Sequence, residues 1–280
     1  MAQTSTSDNP ASPGTDADRG QVEATAAEVY ESFFLPALFD QWVEPLLDAA
    51  EVSNGERLLD VGCGTGVVAR NAISRVGSEG RVAGLDPNEG MLAVARKTSG
   101  VEWTIGAAED IPFDHSSFDV VVSQFAMMFF VDRGRAVSEM ARVLRPGGRV
   151  AIATWASLDD TPGYASMVAL LDRLFGTDAG DALRAPYNMG DPRVLKDLLA
   201  ADFENVQVEM IEGIARFDSI EAWVHTDIRG WTLSDMSEDN YQRLLTAGEQ
   251  ELARYAGPNG TVSFPAPALI ATGSATRRGP

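Results

Sequence analysis

The stretch Asp60-Val61-Gly62-Cys63-Gly64-Thr65-Gly66 decides how this chain is read. It follows the apolar run Arg57-Leu58-Leu59. It opens a segment, 67–76, whose apolar residues recur at helical spacing. Strand, glycine-rich turn and helix in that order form a backbone cradle at a helix N-terminus. Glycine lets a ligand approach the main chain closely. The spacing is G-x-G-x-G. A dinucleotide fingerprint calls for a further glycine at 67, where Val67 stands. Asp60, just before the first glycine, would repel a pyrophosphate but suits a ligand carrying an ammonium or sulfonium charge. Asp86 ends the next apolar run (81–85) and can accept hydrogen bonds from both hydroxyls of a ribose.

Outward from this loop the chain alternates. Strands are expected at 57–60, 81–85, 101–105, 118–122 and 149–155, with helices at 67–76, 88–98 and 133–144 between them. Near-continuous valine at 120–122 marks a strand buried on both faces. After Trp155 the pattern changes. Residues 164–175, 192–201 and most of 220–255 read as helical, and 206–216 and 261–272 as two last strands, the final one at an edge or distorted by Pro265 and Pro267. The expected fold is α/β: a doubly wound, mostly parallel seven-stranded sheet with helical inserts. Residues 1–20 hold little to bury and read as a disordered tail. Residues 21–155 form the α/β core with an N-terminal helix over 22–50. Residues 156–280 complete the sheet.

Composition removes several function classes. The 280 residues carry 22 basic and 41 acidic side chains, a net charge of −19, and an isoelectric point near 4.4. That charge argues against nucleic acid or an anionic membrane surface as partner. One cysteine excludes a disulfide framework and a cysteine-based zinc cluster. With only His115 and His225, no metal site is expected. The longest apolar stretch, 120–131, is too short to span a bilayer, and the N-terminus lacks a secretory signal, so a cytoplasmic protein is expected. The oligomeric state stays open, a homodimer included.

Four motifs then occur in order: Leu58-Leu-Asp-Val-Gly-Cys-Gly-Thr-Gly66, Gly84-Leu-Asp-Pro-Asn-Glu-Gly-Met-Leu92, Ile111-Pro-Phe-Asp-His-Ser-Ser-Phe-Asp119 and Val143-Leu-Arg-Pro-Gly-Gly148. Over 55–155 the chain resembles the class I S-adenosylmethionine-dependent methyltransferases, nearest the ubiquinone/menaquinone-biosynthesis branch. The resemblance implies a Rossmann-like methyltransferase fold and S-adenosyl-L-methionine as cofactor, with S-adenosyl-L-homocysteine as product. It places Asp60, Gly62 and Gly64 at the methionine half, Asp86 at the ribose, and Pro87 and Met91 near the adenine, with Cys63 and Gly66 of the same loop in the cofactor set. Relatives continue Gly-Asp-Ala after the third strand, and that acid takes the adenine amino group. Here the run is Gly106-Ala107-Ala108-Glu109, so the acid is missing at 107. Ala108 offers its backbone N–H and Glu109 is the available carboxylate. Ser123 completes the cofactor set, and Tyr30 joins it through the family habit of covering the cofactor with an N-terminal helix.

The acceptor side is argued from position. Gln124, Met127 and Met128 follow the end of the fourth strand, where open α/β sheets bind ligands, although Met and Phe here equally suit a plain core. Trp223, His225, Arg229 and Trp231 fall in one insert, and His225 and Arg229, four apart, share a face of a regular helix. His225 is the expected general base, if one is used. Segments of about 156–190 and 217–258 are expected as helical substrate lids. The expected activity is methyl transfer to a small, largely apolar acceptor by O- or C-methylation, with phenols, quinols and polyketide-like molecules in view. An NAD(P)-dependent oxidoreductase and a non-catalytic S-adenosylmethionine-binding module are the alternatives.

Overall fold

A computed structural model describes residues 24–233 and 236–276, with the side chains at 24–26 and 229–232 excepted. The expected tail, 1–20, lies outside the described residues. The strands are β1 (Arg57–Val61), β2 (Arg81–Asp86), β3 (Val101–Ile105), β4 (Phe118–Gln124), β5 (Leu144–Trp155), β6 (Phe203–Ile211), β7 (Ile214–Phe217), β8 (Val262–Pro265) and β9 (Ala268–Ala275). Seven of them form one sheet in the order β3-β2-β1-β4-β5-β9-β6. β1, β2, β3, β4 and β5 pair in parallel, and β9 runs antiparallel to both neighbours. The doubly wound, mostly parallel seven-stranded sheet is therefore present.

Burial explains the parallel half. Leu58, Leu59, Val120, Val121, Val122, Ile152 and Ala153 are fully buried, as strands covered by helices on both faces must be. The covering helices include α2 (Val43–Ala49), α3 (Val67–Val76), α4 (Glu89–Ala95) and α5 (Arg133–Val143), and α1 (Ala24–Val29) packs on α4. Between α1 and α2 the helix at 22–50 is not regular. Tyr30–Phe39 winds in wide turns, Pro36 sits inside it, and the Asp40 N–H donates back to the Leu35 carbonyl, five residues away.

The last two strands depart from expectation. The run expected at 206–216 splits at Gly213, where a Cβ would stand 2.1 Å from the Trp42 ring. The run expected at 261–272 breaks between Pro265 and Ala268. β8 pairs with β7 in a separate ribbon, while β9 lies inside the main sheet and β6 takes the edge. Of the two expectations for 261–272, distortion holds, since the run breaks at its prolines, and the edge position is corrected, since β9 lies between β5 and β6. Proline has no N–H for a ladder, and both prolines precede the interior strand.

The second half adds α6 (Pro162–Phe175), α7 (Thr177–Arg184), α8 (Pro192–Leu199), α9 (Ile220–Val224) and α10 (Glu238–Glu251). Of these, α6 and α7 fall in the segment of about 156–190 expected to be helical, and α9 and α10 in that of about 217–258. Among the described residues no helix is long and apolar enough to cross a membrane.

Candidate functional site

β1 has β2 on one side and β4 on the other, so the strand order reverses between β1 and β4. In open α/β sheets ligands bind at that reversal, beyond the carboxyl ends of the strands. Here a cavity of about 280 Å³ opens at that place. One wall is the loop after β1, the end of β2 and the start of α4. The opposite wall comes from 124–131, Trp155, α6, α7 and the helical run after α9.

The loop is shaped by its own backbone. Gly62, Gly64 and Gly66 all have positive φ (70°, 54° and 87°). Gly62 and Cys63 both donate their N–H to the Leu85 carbonyl, at 2.8 and 3.0 Å, which ties the loop to β2. Gly66 is pinned twice: its φ excludes most side chains, and a Cβ would lie 2.3 Å from the Trp103 ring. Gly66→Ala is therefore expected to cost about 2 kcal/mol and to lower Tm by roughly 5 °C in a thermal melt. An unchanged Tm would show that the loop is less constrained than its geometry implies.

Two carboxylates organise the cradle. Asp60, 1% exposed, accepts from the Ala69 N–H at 3.1 Å, in the first turn of α3. Asp86, 7% exposed, accepts from Gly64 N–H and Asn88 N–H, both at 2.8 Å. Asn88 in turn caps α4 by accepting from Met91 N–H. Among the described residues neither carboxylate has a lysine or arginine partner. Burial raises Asp60 to about 7, with repulsion from Asp86 adding to it, and raises Asp86 to about 6. Two buried acids facing one cavity without a cation leave that end able to stabilise a positively charged ligand.

Most of the expected cofactor residues meet in this cavity: Asp60, Gly62, Cys63, Gly64, Asp86, Pro87 and Met91 along the first wall, with Tyr30, Ala108 and Glu109 also in the lining. Gly66 stands behind it as the residue that starts α3. Ser123 also stands behind, fully buried and donating to the Val61 carbonyl at 2.8 Å; it holds β4 to β1 instead of lining the gap. Cys63 packs with Leu92, Ala95 and Trp103, and burial pushes its thiol well above the usual range, which suits a filler and not a nucleophile. Glu109 accepts from the N–H groups of Val131 and Asp132, clamping the rim.

At the other end the lining turns aromatic. Phe125 stacks on Trp155 with ring centroids 4.0 Å apart, and Phe39 lies 5.3 Å from the first and 5.7 Å from the second. Gln124 lines the cavity as expected. Its amide N–H donates weakly to the Phe39 carbonyl at 3.4 Å, and its Oε1 is buried with no partner among the described residues. Met128 also lines the cavity, whereas Met127 is fully buried core.

Four expectations for the insert need correction or fall away. Trp223 is fully buried against Phe264, Phe217 and Tyr164 and does not reach the cavity. His225 is exposed, does not line the cavity, and has its Nδ1 3.5 Å from the Tyr241 hydroxyl. The side chains of Arg229 and Trp231 lie outside the described residues. The spacing argument behind His225 assumed a regular helix. In fact 225–232 winds in wide turns, with Leu233 N–H donating to the Ile228 carbonyl, so its faces are redistributed. The residues of this half that do reach the cavity are Tyr164, Leu183, Pro186, Tyr187 and Asp227. Trp155, at the carboxyl end of β5, was findable by the strand-end rule that pointed to Gln124. Asp227 and the two tyrosines gave no comparable signal.

Comparison with known proteins adds to this geometry. A family model described as a methyltransferase domain matches residues 59–152. The ubiquinone/menaquinone biosynthesis C-methyltransferase UbiE of Idiomarina loihiensis is 34% identical over 143 residues, 49% of this chain and 57% of that protein. The demethylmenaquinone methyltransferase of Staphylococcus carnosus is 31% identical over 188 residues, 61% of this chain and 78% of that protein. The chain spans about half the length of the first curated relatives it matches. Among solved structures, phosphoethanolamine N-methyltransferase 2 of Haemonchus contortus, in complex with S-adenosyl-L-methionine, has a TM-score of 0.59 at 21% identity, covering 94% of this chain and 59% of that one.

Proposed function

The chain belongs to the methyltransferase family that includes the demethylmenaquinone methyltransferases, and from this premise we propose that it transfers a methyl group from S-adenosylmethionine to a small, largely apolar acceptor of the phenol or hydroquinone class. The observation that carries the reading is the polarity of the cavity: two buried, cation-free carboxylates at the glycine loop, Asp60 and Asp86, and an aromatic wall of Phe39, Phe125 and Trp155 opposite. The family's cofactor supplies a methyl electrophile on a positively charged sulfur. Its amino group and sulfonium suit the Asp60 end, and its ribose hydroxyls suit Asp86. A nicotinamide dinucleotide would set its pyrophosphate against the same acids, which disfavours the oxidoreductase alternative.

What the chain itself contributes is position and exclusion of water. Orientation of two bound reactants is worth about 7–11 kcal/mol in favourable cases, and the aromatic wall keeps the reacting centre dry. The acceptor class follows from that wall and from the quinone-directed relatives. The net charge of −19 speaks against a nucleic-acid acceptor. Titration calorimetry with S-adenosylmethionine and S-adenosylhomocysteine tests the cofactor. The expected result is saturable binding of both. No heat with either, in low or high salt, removes the proposal.

A further inference from the structure

Among the described residues, Asp227 is the acidic side chain at the aromatic end of the cavity whose presence the cofactor does not explain. It is 3% exposed, lies on the wide-turn run after α9, and lines the same cavity as the glycine loop. Its carboxylate receives the Tyr164 hydroxyl, with Oδ1 and Oδ2 at 3.2 and 3.0 Å. Tyr164 stands in the first turn of α6, and its ring lies 5.8 Å from that of Tyr187. Asp60 is held by the Ala69 amide at the start of α3, and Asp86 by the amides of Gly64 and Asn88. Among the described residues Asp227 accepts a hydrogen bond from the Tyr164 hydroxyl alone and has no cation partner, while a carboxylate has about four acceptor positions. A buried carboxylate in such surroundings costs stability. Nothing in the packing of the fold calls for one here.

Resting on the methyltransferase reading above, we propose that Asp227 reads the hydroxyl of the acceptor and takes the proton that methyl transfer releases, with Tyr164 as its positioning residue. The balance is simple. The methyl–sulfur bond breaks and its electron pair stays on sulfur. A new bond joins the methyl carbon to the acceptor's oxygen or ring carbon. One proton leaves, and an Asp227 carboxylate oxygen accepts it. In O-methylation this is the hydroxyl proton itself. In C-methylation the hydroxyl proton goes to Asp227 and the proton displaced from the ring carbon restores the hydroxyl. Burial raises Asp227 to about 7, while the Tyr164 hydroxyl and the Trp223 indole pull it back. Near neutrality such a group can both accept a proton and give it up. Among the described residues the titratable groups that face it are the phenols of Tyr164, from α6, and Tyr187, which burial holds neutral.

The test uses the full chain saturated with S-adenosylhomocysteine and two probes, 1,4-naphthohydroquinone kept reduced and its dimethyl ether. Wild type is expected to prefer the hydroquinone by roughly tenfold or more. Asp227→Asn should bind the ether unchanged and lose most of that preference. Its turnover with S-adenosylmethionine and the hydroquinone should fall about 100-fold or more, with affinity for S-adenosylmethionine intact. Tyr164→Phe keeps the carboxylate and should lose only several-fold. Full preference and turnover in Asp227→Asn overturn the proposal. So does a wild type that binds S-adenosylmethionine and neither probe, an outcome that leaves the cofactor reading standing. Absence of S-adenosylmethionine binding by the wild type is the separate failure of that reading.

Discussion

Asp86→Ala is expected to weaken S-adenosylmethionine binding by about 100-fold in titration calorimetry, a loss of about 3 kcal/mol. Two effects combine. The ribose loses its acceptor, and a hydrogen bond to a charged group is worth about 1.5–3 kcal/mol. The loop also loses its fastening, because the same carboxylate accepts from Gly64 N–H and Asn88 N–H. The second effect should appear without ligand, as faster amide exchange at Gly64 and Asn88. Asp86→Asn separates the two, since its amide oxygen can still accept one backbone N–H. It should recover loop order but only part of the affinity. A change in affinity of threefold or less for Asp86→Ala would mean that the cofactor is held elsewhere.

The glycine-loop end of the cavity was legible in the sequence because it is local. Asp60, the three glycines and Asp86 sit within single strand–turn units, and the strand itself delivers each carboxylate to the cavity. The acceptor end was not legible. Tyr164, Tyr187 and Asp227 come from three separate helical segments and meet only in the folded chain, through the Tyr164–Tyr187 ring contact and the Tyr164–Asp227 hydrogen bond. Asp227 reaches the cavity through a helical run bonded five residues back, and a period of 3.6 gives no warning of that. The same cause misplaced His225. In the fold, the five parallel strands were legible from buried valine and leucine. The last two were mis-drawn because Gly213 and the Pro265–Pro267 pair break the chain for tertiary reasons, and the first of those reasons is the indole of Trp42.

The ligand-free protein should lose stability as pH rises from 5 to 8, by on the order of 5 kcal/mol. Asp60, Asp86 and Asp227 carry folded-state values of about 7, about 6 and about 7, against 3.8 for a free aspartate. A value raised on folding means that the native state holds the proton more tightly. The stabilisation is complete below the unfolded value and disappears as pH climbs through the folded one, so the window lies between about pH 4 and pH 7. Asp119 and Glu139 have lowered values, and their stabilisation is lost only at acid pH, outside this window. Chemical denaturation at half-unit steps of pH is the measurement. Wild type should show the fall, and Asp60→Asn, which cannot ionise, should flatten it by about 2–3 kcal/mol. A cationic ligand bound at the glycine loop prefers both acids ionised, so saturating S-adenosylmethionine should flatten the wild-type curve as well, and its affinity should rise over the same interval. An apo curve flat from pH 5 to 8, or equal slopes in wild type and Asp60→Asn, would show that these carboxyls keep their charge without the cofactor. The cation-free cradle would then not be the feature that selects a sulfonium ligand.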